Sequence, residues 1–182
     1  MIQHLNLKSH EEWIDPFFQT LEYAQTLEDP LSRNYTKERI PLENFPFFSI
    51  VVISNQIVAF SGLQTGRWGG GIGRVASRLW VHPDWRSQNG RPSEFNSKIM
   101  MPHQTLFAQE HGFDCVFFSR EKPYKHFDFI VKRSNQKCPF GFEYKTMPKE
   151  YNVCLNSQDE SCWQKIAVCE FTKNTLELPE RD

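Results

Sequence analysis

The residues with the clearest chemical potential lie between Leu79 and Arg91, where an apolar strand segment runs into a polar loop. Pro83 ends the strand pattern, and Gly90 allows the backbone to approach a bound anion closely. Arg86 can add a charge-assisted hydrogen bond to that anion. A predicted helix follows the loop, and a helix N-terminus presents unpaired N–H groups and a partial positive charge. The pattern predicts a binding site for a diphosphate.

The segment from Arg78 to Gly90, together with Gly112–Ser119, resembles the acyl-CoA signature of the GNAT superfamily of N-acetyltransferases. The resemblance is strongest over residues 47–155 and includes the Gly141-Phe142 pair. In that family a strand splays from its neighbour, its backbone groups pair with the pantetheine arm, and the loop amides bind the pyrophosphate. The resemblance implies acetyl-CoA or another acyl-CoA as acyl donor and an amine as acceptor.

The loop departs from the usual family spacing, which is Arg or Gln, two residues, Gly, one residue, then Gly or Ala. Arg86 fits the first position, but Asn89 stands where the first Gly is expected and Gly90 falls one place later. Arg91 occupies the last position. The shifted loop either keeps an anion site, has lost its affinity for CoA or binds a different donor, and Arg86 could instead pair with Asp84. The resemblance implies the following donor-binding residues: Trp80, Val81, Arg86, Ser87, Gln88, Asn89, Gly90 and Arg91.

Polar side chains that could move protons follow a short apolar strand in the second half of the chain. Glu121 could accept a proton from an amine, directly or through water. Tyr124 or His126 could protonate a leaving thiolate. With Ser119 at the strand end, these four residues are the predicted catalytic set. A solvated ion pair of Arg120 and Glu121 is the structural alternative.

Other histidines are less promising as functional groups. His82 beside Pro83 could be a base, but it is expected to be solvent-exposed at the edge of the loop. His103 and His111 share a predicted helix face, yet no carboxylate or cysteine spacing completes a metal site, so no metal is expected. The family often has a tyrosine shortly before its Gly-Phe pair, where this chain has residues 136–138, Gln-Lys-Cys.

The composition fits a single domain of ordinary hydrophobicity. The chain has 182 residues, 39% of them hydrophobic, and a net charge of −1, which gives no general attraction to nucleic acid or anionic membrane. No apolar run approaches the roughly 20 residues that a membrane span needs. Its five cysteines are odd in number and include no Cys-x-x-Cys pair, so reduced thiols and a cytoplasmic location are expected. One domain is expected over residues 1–171, followed by a polar tail over 172–182.

The predicted elements follow the order of the acetyltransferase fold as the resemblance implies it. The expected class is α/β (α+β), with a central mixed, mostly antiparallel sheet flanked by helices. A flexible connection between strands is expected at Gly66–Gly73. The helices are predicted over Ser9–Leu27, from Ser93 or Asn96 to His111 with Gly112 as terminator, and over Tyr124–Asn135. The strands are predicted over Phe47–Ile53, Ile57–Leu63, Arg74–Val81, Asp114–Ser119, Phe140–Tyr144 and Tyr151–Leu155.

Three functions stay open at this point. The first is a GNAT-like N-acetyltransferase acting on a small-molecule or macromolecular amine, as a monomer or a homodimer. The second is a phage-type transferase of this fold that modifies nucleic-acid bases, and the third is a non-catalytic binding module. Nucleic acid could contact a basic cluster, which an amphipathic helix with a solvated basic face explains equally well. That cluster consists of Lys122, Lys125, Lys132, Arg133 and Lys137.

Overall fold

A central sheet with helices on both faces forms the computed structural model of the chain. The structure describes residues 1–28, 42–68, 71–87, 94–120, 127–147, 153–154 and 165–171. Within them the strands are β1 (Ile2–Asn6), β2 (Phe47–Ile53), β3 (Gln56–Trp68), β4 (Gly71–Val81), β5 (Cys115–Arg120), β6 (Lys145–Met147), β7 (Val153–Cys154) and β8 (Lys165–Glu170). The α-helices are α1 (Ile14–Gln25), α2 (Met101–Glu110) and α3 (Phe127–Lys137), and a π-helical segment, Asn96–Met100, leads into α2.

The sheet is mixed and mostly antiparallel, as predicted. Its strands lie in the order β1-β2-β3-β4-β5-β8-β6, and the short β7 pairs with β3. Among the described strand pairs, β4 with β5 is parallel and the others are antiparallel. The helix α2 connects the two parallel strands, as a parallel pair requires.

Apolar cores fill the space on each face of the sheet. Phe17 and Leu21 of α1 are buried against Phe48, Phe60 and Trp80 of the sheet. Several of these rings meet edge to face, with Phe17 and Phe60 centroids 5.3 Å apart. This core contains four buried phenylalanines, Phe17, Phe45, Phe48 and Phe60.

Backbone conformation matches the residue types at two places, the connection between two predicted strands and the end of a predicted helix. Ser54 and Asn55 have φ angles of 50° and 60°, so the β2–β3 hairpin closes through a tight left-handed turn. Gly112 has a φ of 73° at the end of α2. The Phe113 N–H donates to the Ala108 carbonyl and the Gly112 N–H to the Gln109 carbonyl, which is a Schellman C-cap. Gly112 is confirmed as the helix terminator.

The first helix begins later than predicted because of a proline. Two 3₁₀ turns precede α1, and the Asn6 side chain caps the first of them by accepting from the Lys8 N–H. A helix beginning at Ser9 would place Pro16 in its interior, where the ring lacks an N–H and clashes with the preceding turn. Starting at Ile14 places Pro16 in the first turn. Ser9 is therefore not the cap.

The second half of the chain contains the other corrections. The predicted strand Phe140–Tyr144 is wrong: Gly141 has a φ of 72°, and the Asn135 side chain pairs with both backbone groups of Tyr144. The strand there is β6, and of the next predicted strand the structure describes β7 only. The strands β1 and β8 were not predicted.

Two further boundaries differ from the sequence prediction. The glycine-rich stretch Gly66–Gly73 belongs to β3 and β4 apart from residues 69–70, which lie outside the described residues. Asn96 lies inside the helical segment, whose N–H···O bonding begins at the Glu94 carbonyl, so it is not a cap. Ser93, residues 124–126 and the tail 172–182 also lie outside the described residues.

In the described part of the chain no helix is long and apolar enough to span a membrane.

Candidate functional site

The parallel strands β4 and β5 stop pairing with each other before either of them ends. Their ladder runs from Gly73–Cys115 to Val75–Phe117. Beyond that point β4 continues to Val81 along β3, and β5 continues to Arg120 along β8. The carboxyl ends of the two strands therefore have different partners and no longer pair with each other; we call this unpaired stretch the β4–β5 opening. In open sheets such a divergence of neighbouring strands is a common ligand position.

The backbone of Val81 faces this opening. The His82 N–H donates to the Val58 carbonyl of β3 at 2.8 Å. Because backbone groups of successive residues in a strand point to opposite edges, the N–H and C=O of Val81 point away from β3, towards β5. The Val81 carbonyl accepts from Arg86 Nε at 2.7 Å. The strand end thus presents an N–H group beside a guanidinium.

The side chains of Trp80 and Val81 are part of the core. Trp80 is fully buried and stacks on Phe60 with ring centroids 5.3 Å apart. Val81 is fully buried on the other face, in a cluster with Val58 and Met100. Any contact of these two residues with a ligand is therefore made by the backbone. Of the two, Val81 is the better candidate for a backbone contact with a ligand, since the backbone groups of Trp80 point towards β3.

His82 is buried, contrary to the prediction that it is solvent-exposed. Only 8% of the residue is exposed, and its ring stacks on Tyr23 and meets Trp80 edge to face. Burial lowers the pKa of His82 below its ordinary value, against the opposing effect of the Asp84 carboxylate. Its Nδ1 accepts from the Asp84 N–H at 3.2 Å, so the neutral ring carries its proton on Nε2. His82 caps the Pro83–Trp85 turn and does not offer a basic lone pair in this geometry.

Arg86 and the loop residues are placed only in part. Arg86 is half-buried and tied to β4 through Val81, and Ser87 is exposed. The remaining predicted donor-binding residues, Gln88, Asn89, Gly90 and Arg91, lie outside the described residues. The predicted diphosphate contacts of this loop stay predictions.

Of the four predicted catalytic residues, the structure describes the backbone of Ser119 alone. Ser119 lies on β5, paired with Ile166 of β8, beyond the last residue pair that joins β5 to β4. Glu121, Tyr124 and His126 lie outside the described residues. Their roles as base and acid stay predictions.

Tyr144 follows the Gly141-Phe142 pair, whereas the family tyrosine was sought before it, and Tyr144 is part of the core. Its hydroxyl is 2.6 Å from Thr105 Oγ1, and the residue is buried. Burial raises the pKa of Tyr144 far above its ordinary value. The hydroxyl therefore holds α2 against the 141–145 segment and is a poor proton donor to a substrate.

One carboxylate just beyond the loop collects three cations. Glu94 Oε1 accepts from Arg133 Nη2 at 2.6 Å and from Lys137 Nζ at 2.7 Å, and the Lys98 ammonium contacts the same carboxylate. Hydrogen bonds from Lys137, Lys98 and Arg133 lower the pKa of Glu94 to about 2. Two members of the predicted basic cluster are therefore partners within the fold. Only the Lys98 contact, at i+4 spacing, has a signal in the sequence; Arg133 and Lys137 are distant in the chain.

The helix histidines are also structural. His103 Nδ1 is 2.7 Å from the Ile99 carbonyl and His111 Nδ1 is 2.8 Å from the Phe107 carbonyl. His103 stacks on His4 of β1 with centroids 4.3 Å apart. Among the residues that the structure describes, no group of three His, Cys, Asp or Glu side chains is arranged to hold a metal ion.

The sequence matches no protein-family model, and it matches no curated protein. The structure, in contrast, resembles solved acetyltransferases over nearly its whole length. An acetyltransferase from Streptococcus agalactiae aligns with a TM-score of 0.54 at 13% identity, covering 93% of this chain and 98% of that one. Arabidopsis thaliana Naa50, in complex with a CoA-containing bisubstrate analogue, aligns with a TM-score of 0.51 at 12% identity. That alignment covers 93% of this chain and 99% of Naa50.

A third solved structure is N-acetylglutamate synthase from Neisseria gonorrhoeae, complexed with coenzyme A and N-acetyl-glutamate. It aligns with a TM-score of 0.55 at 14% identity, and the alignment covers 95% of this chain but only 36% of that one. The shared part is thus one section of a longer enzyme. The strand order and these likenesses agree with the fold expected from the sequence. This chain has the fold of the GNAT N-acetyltransferases.

Proposed function

We propose that this protein transfers an acyl group from acyl-CoA to an amine. The observation that carries the proposal is the opening between β4 and β5, with the Val81 N–H directed into it. An extended pantetheine arm needs such an unpaired strand edge, because its amides replace the missing neighbour strand. Two of the solved structures of this fold hold CoA or a CoA-containing analogue, which supports acyl-CoA as the donor class.

The reaction is a direct transfer. The amine nitrogen attacks the thioester carbonyl carbon, a C–N bond forms, the C–S bond breaks, and CoA leaves as a thiolate. The Val81 N–H donates to the carbonyl oxygen as negative charge develops on it. The acceptor attacks as the neutral amine. Glu121 takes the proton that the nitrogen loses as the amide forms, directly or through water, and Tyr124 or His126 protonates the thiolate. The products are an amide and free CoA.

Donor binding rests on the loop that follows β4. Arg86 ties the loop to the strand end through the Val81 carbonyl and brings a positive charge to the opening. The N–H groups between Ser87 and Arg91 bind the diphosphate, assisted by the partial positive charge of the following helix. Gly90 allows this approach even though it stands one place later than in the usual spacing.

Calorimetry with acetyl-CoA tests the proposal. We expect one donor bound per chain, and release of free thiol when a suitable amine is added to the complex. Acetylpantetheine, which lacks the diphosphate, serves as the control ligand and should bind much more weakly. Absence of acetyl-CoA binding at millimolar ligand would contradict the proposal.

A further inference from the structure

We propose that the cations held by Glu94 bind the 3′-phosphate of the CoA donor. The proposal rests on the proposed function and adds a second anion site to it. The group of residues concerned, called here the Glu94 cluster, consists of Glu94, Lys98, Arg133 and Lys137.

The Glu94 cluster has more positive charge than its own carboxylate neutralises. Three cations surround one carboxylate, which leaves a surplus of two positive charges. Their side chains are 45%, 42% and 34% exposed for Lys98, Arg133 and Lys137, so a ligand in solution can reach them. A phosphate monoester carries up to two negative charges and accepts charge-assisted hydrogen bonds from both cation types. The charges of cluster and ligand are complementary.

Glu94 holds these cations in place before any ligand arrives. One of its oxygens joins Arg133 and Lys137 of α3, while the carbonyl of the same residue accepts from the Lys98 N–H at 2.8 Å. Long basic side chains lose considerable freedom when a ligand orders them, and that loss lowers affinity. Fixing two of them on an internal carboxylate reduces this loss.

The position of the cluster fits the donor. Glu94 follows directly on residues 88–93, which continue the loop proposed to hold the diphosphate. In CoA the 3′-phosphate is carried by the ribose that is esterified to that diphosphate, so the two anionic groups lie close together. Trp85, next to Arg86, packs against Phe95, next to Glu94, with ring centroids 6.2 Å apart, so the start of the cluster lies near the end of β4. A donor whose diphosphate is held beside Arg86 would therefore carry its second anionic group close to the cluster.

Comparing two donors that differ in this one group tests the proposal. Acetyl-CoA and its 3′-dephospho analogue are titrated at one ionic strength into the wild type and into the Arg133→Gln/Lys137→Gln variant. We expect the wild type to favour acetyl-CoA by about tenfold to a hundredfold, the range for charge-assisted contacts. The double variant should bind both donors equally. Because the affinities for both donors are measured on the same variant, a general loss of stability does not change the ratio of the two affinities.

Two further variants complete the experiment. Lys132→Gln removes an exposed lysine of the same helix from outside the cluster and should keep the wild-type ratio. Arg133→Lys keeps the charge and should retain most of the preference. Equal binding of the two donors by the wild type, or an unchanged ratio in the double variant, overturns this proposal alone. Failure of the wild type to bind either donor overturns the acyl-CoA proposal and this one with it.

Discussion

At the scale of single residues, the structure gives several predicted groups a structural partner as well as a proposed role. Arg86 was predicted as a diphosphate contact, and its Nε binds the Val81 carbonyl. His82 was predicted at the surface, and it is a buried cap. Sequence identifies which residue types can do chemistry, but the partner that occupies each polar atom depends on distant residues such as Tyr23, which stacks on His82.

Replacing Arg86 by alanine separates these two roles. Loss of the hydrogen bond to Val81 should lower the free energy of unfolding by about 1 kcal/mol. Loss of the charge beside the opening should weaken acetyl-CoA binding by at least about tenfold. Urea denaturation measures the first effect and calorimetry the second, with Lys8→Ala, which removes an exposed cation outside the predicted site, as the control. Unchanged donor affinity would remove Arg86 from the site.

His4 gives the fold a dependence on acid pH. Burial lowers the pKa of His4 to about 4, with the nearby His103 adding to the effect. Between pH 6.5 and 4 the unfolded chain therefore binds a proton that the folded chain does not, and stability falls as the pH is lowered through this range. The slope should approach about 1.4 kcal/mol per pH unit for one proton.

The replacement His4→Phe tests this dependence. Phenylalanine keeps the ring contact with His103 and removes the titration, so denaturation at several pH values should show a flatter profile. His111→Gln, at the exposed end of α2, is the control. A His4→Phe profile as steep as that of the wild type would assign the acid sensitivity to other groups.

At the scale of elements, short residue patterns predicted correctly those turns, strands and helix ends whose geometry depends on neighbouring residues in the chain. The hairpin at Ser54-Asn55, the strand β5 and the Gly112 terminator follow from short patterns of residue type. The strands β1 and β8 are edge or late strands whose pairing depends on distant partners, β2 and β5. Asn135 replaces a strand ladder at Tyr144 with side-chain hydrogen bonds, which no local pattern indicates.

The hydrogen bonds between the Asn135 side chain and the Tyr144 backbone should stabilise the connection between α3 and β6. Asn135→Ala removes a donor and an acceptor from the Tyr144 backbone, at 2.9 and 2.8 Å. Leaving these half-buried backbone groups without partners should cost about 2 kcal/mol. The measurement is the free energy of unfolding, with the exposed neighbour Gln136→Ala as control. Equal stability of the two variants would show that the backbone groups find other partners.

Gly112→Ala tests the end of α2 without steric interference. An added Cβ would meet nothing within 4 Å, so the cost comes from the φ of 73° alone. We expect a loss of about 1 kcal/mol, and a smaller loss for Gly112→Asn, since asparagine adopts the left-handed region more readily. Thermal unfolding of both variants provides the comparison. A larger loss for asparagine than for alanine would contradict this explanation.

At the scale of the whole molecule, the order of elements led to the correct fold although one strand was misplaced and two were not predicted. The GNAT resemblance at Arg78–Gly90 and Gly112–Ser119 identified the β4–β5 region, and the structure has its opening there. The Glu94 cluster could not be predicted, because Arg133 and Lys137 reach Glu94 only after α3 packs beside the helical segment that leads into α2. The packing of α3, which local residue patterns do not reveal, is what brings these charged side chains together.

A structure of the protein with a non-hydrolysable acetyl-CoA analogue tests the central claim most directly. The account predicts the pantetheine arm between β4 and β5, with the acyl carbonyl oxygen about 3 Å from the Val81 nitrogen. The diphosphate should lie on the Arg86–Arg91 loop. An analogue bound elsewhere, or no analogue between β4 and β5 at saturating concentration, would contradict the proposed acyl-CoA site.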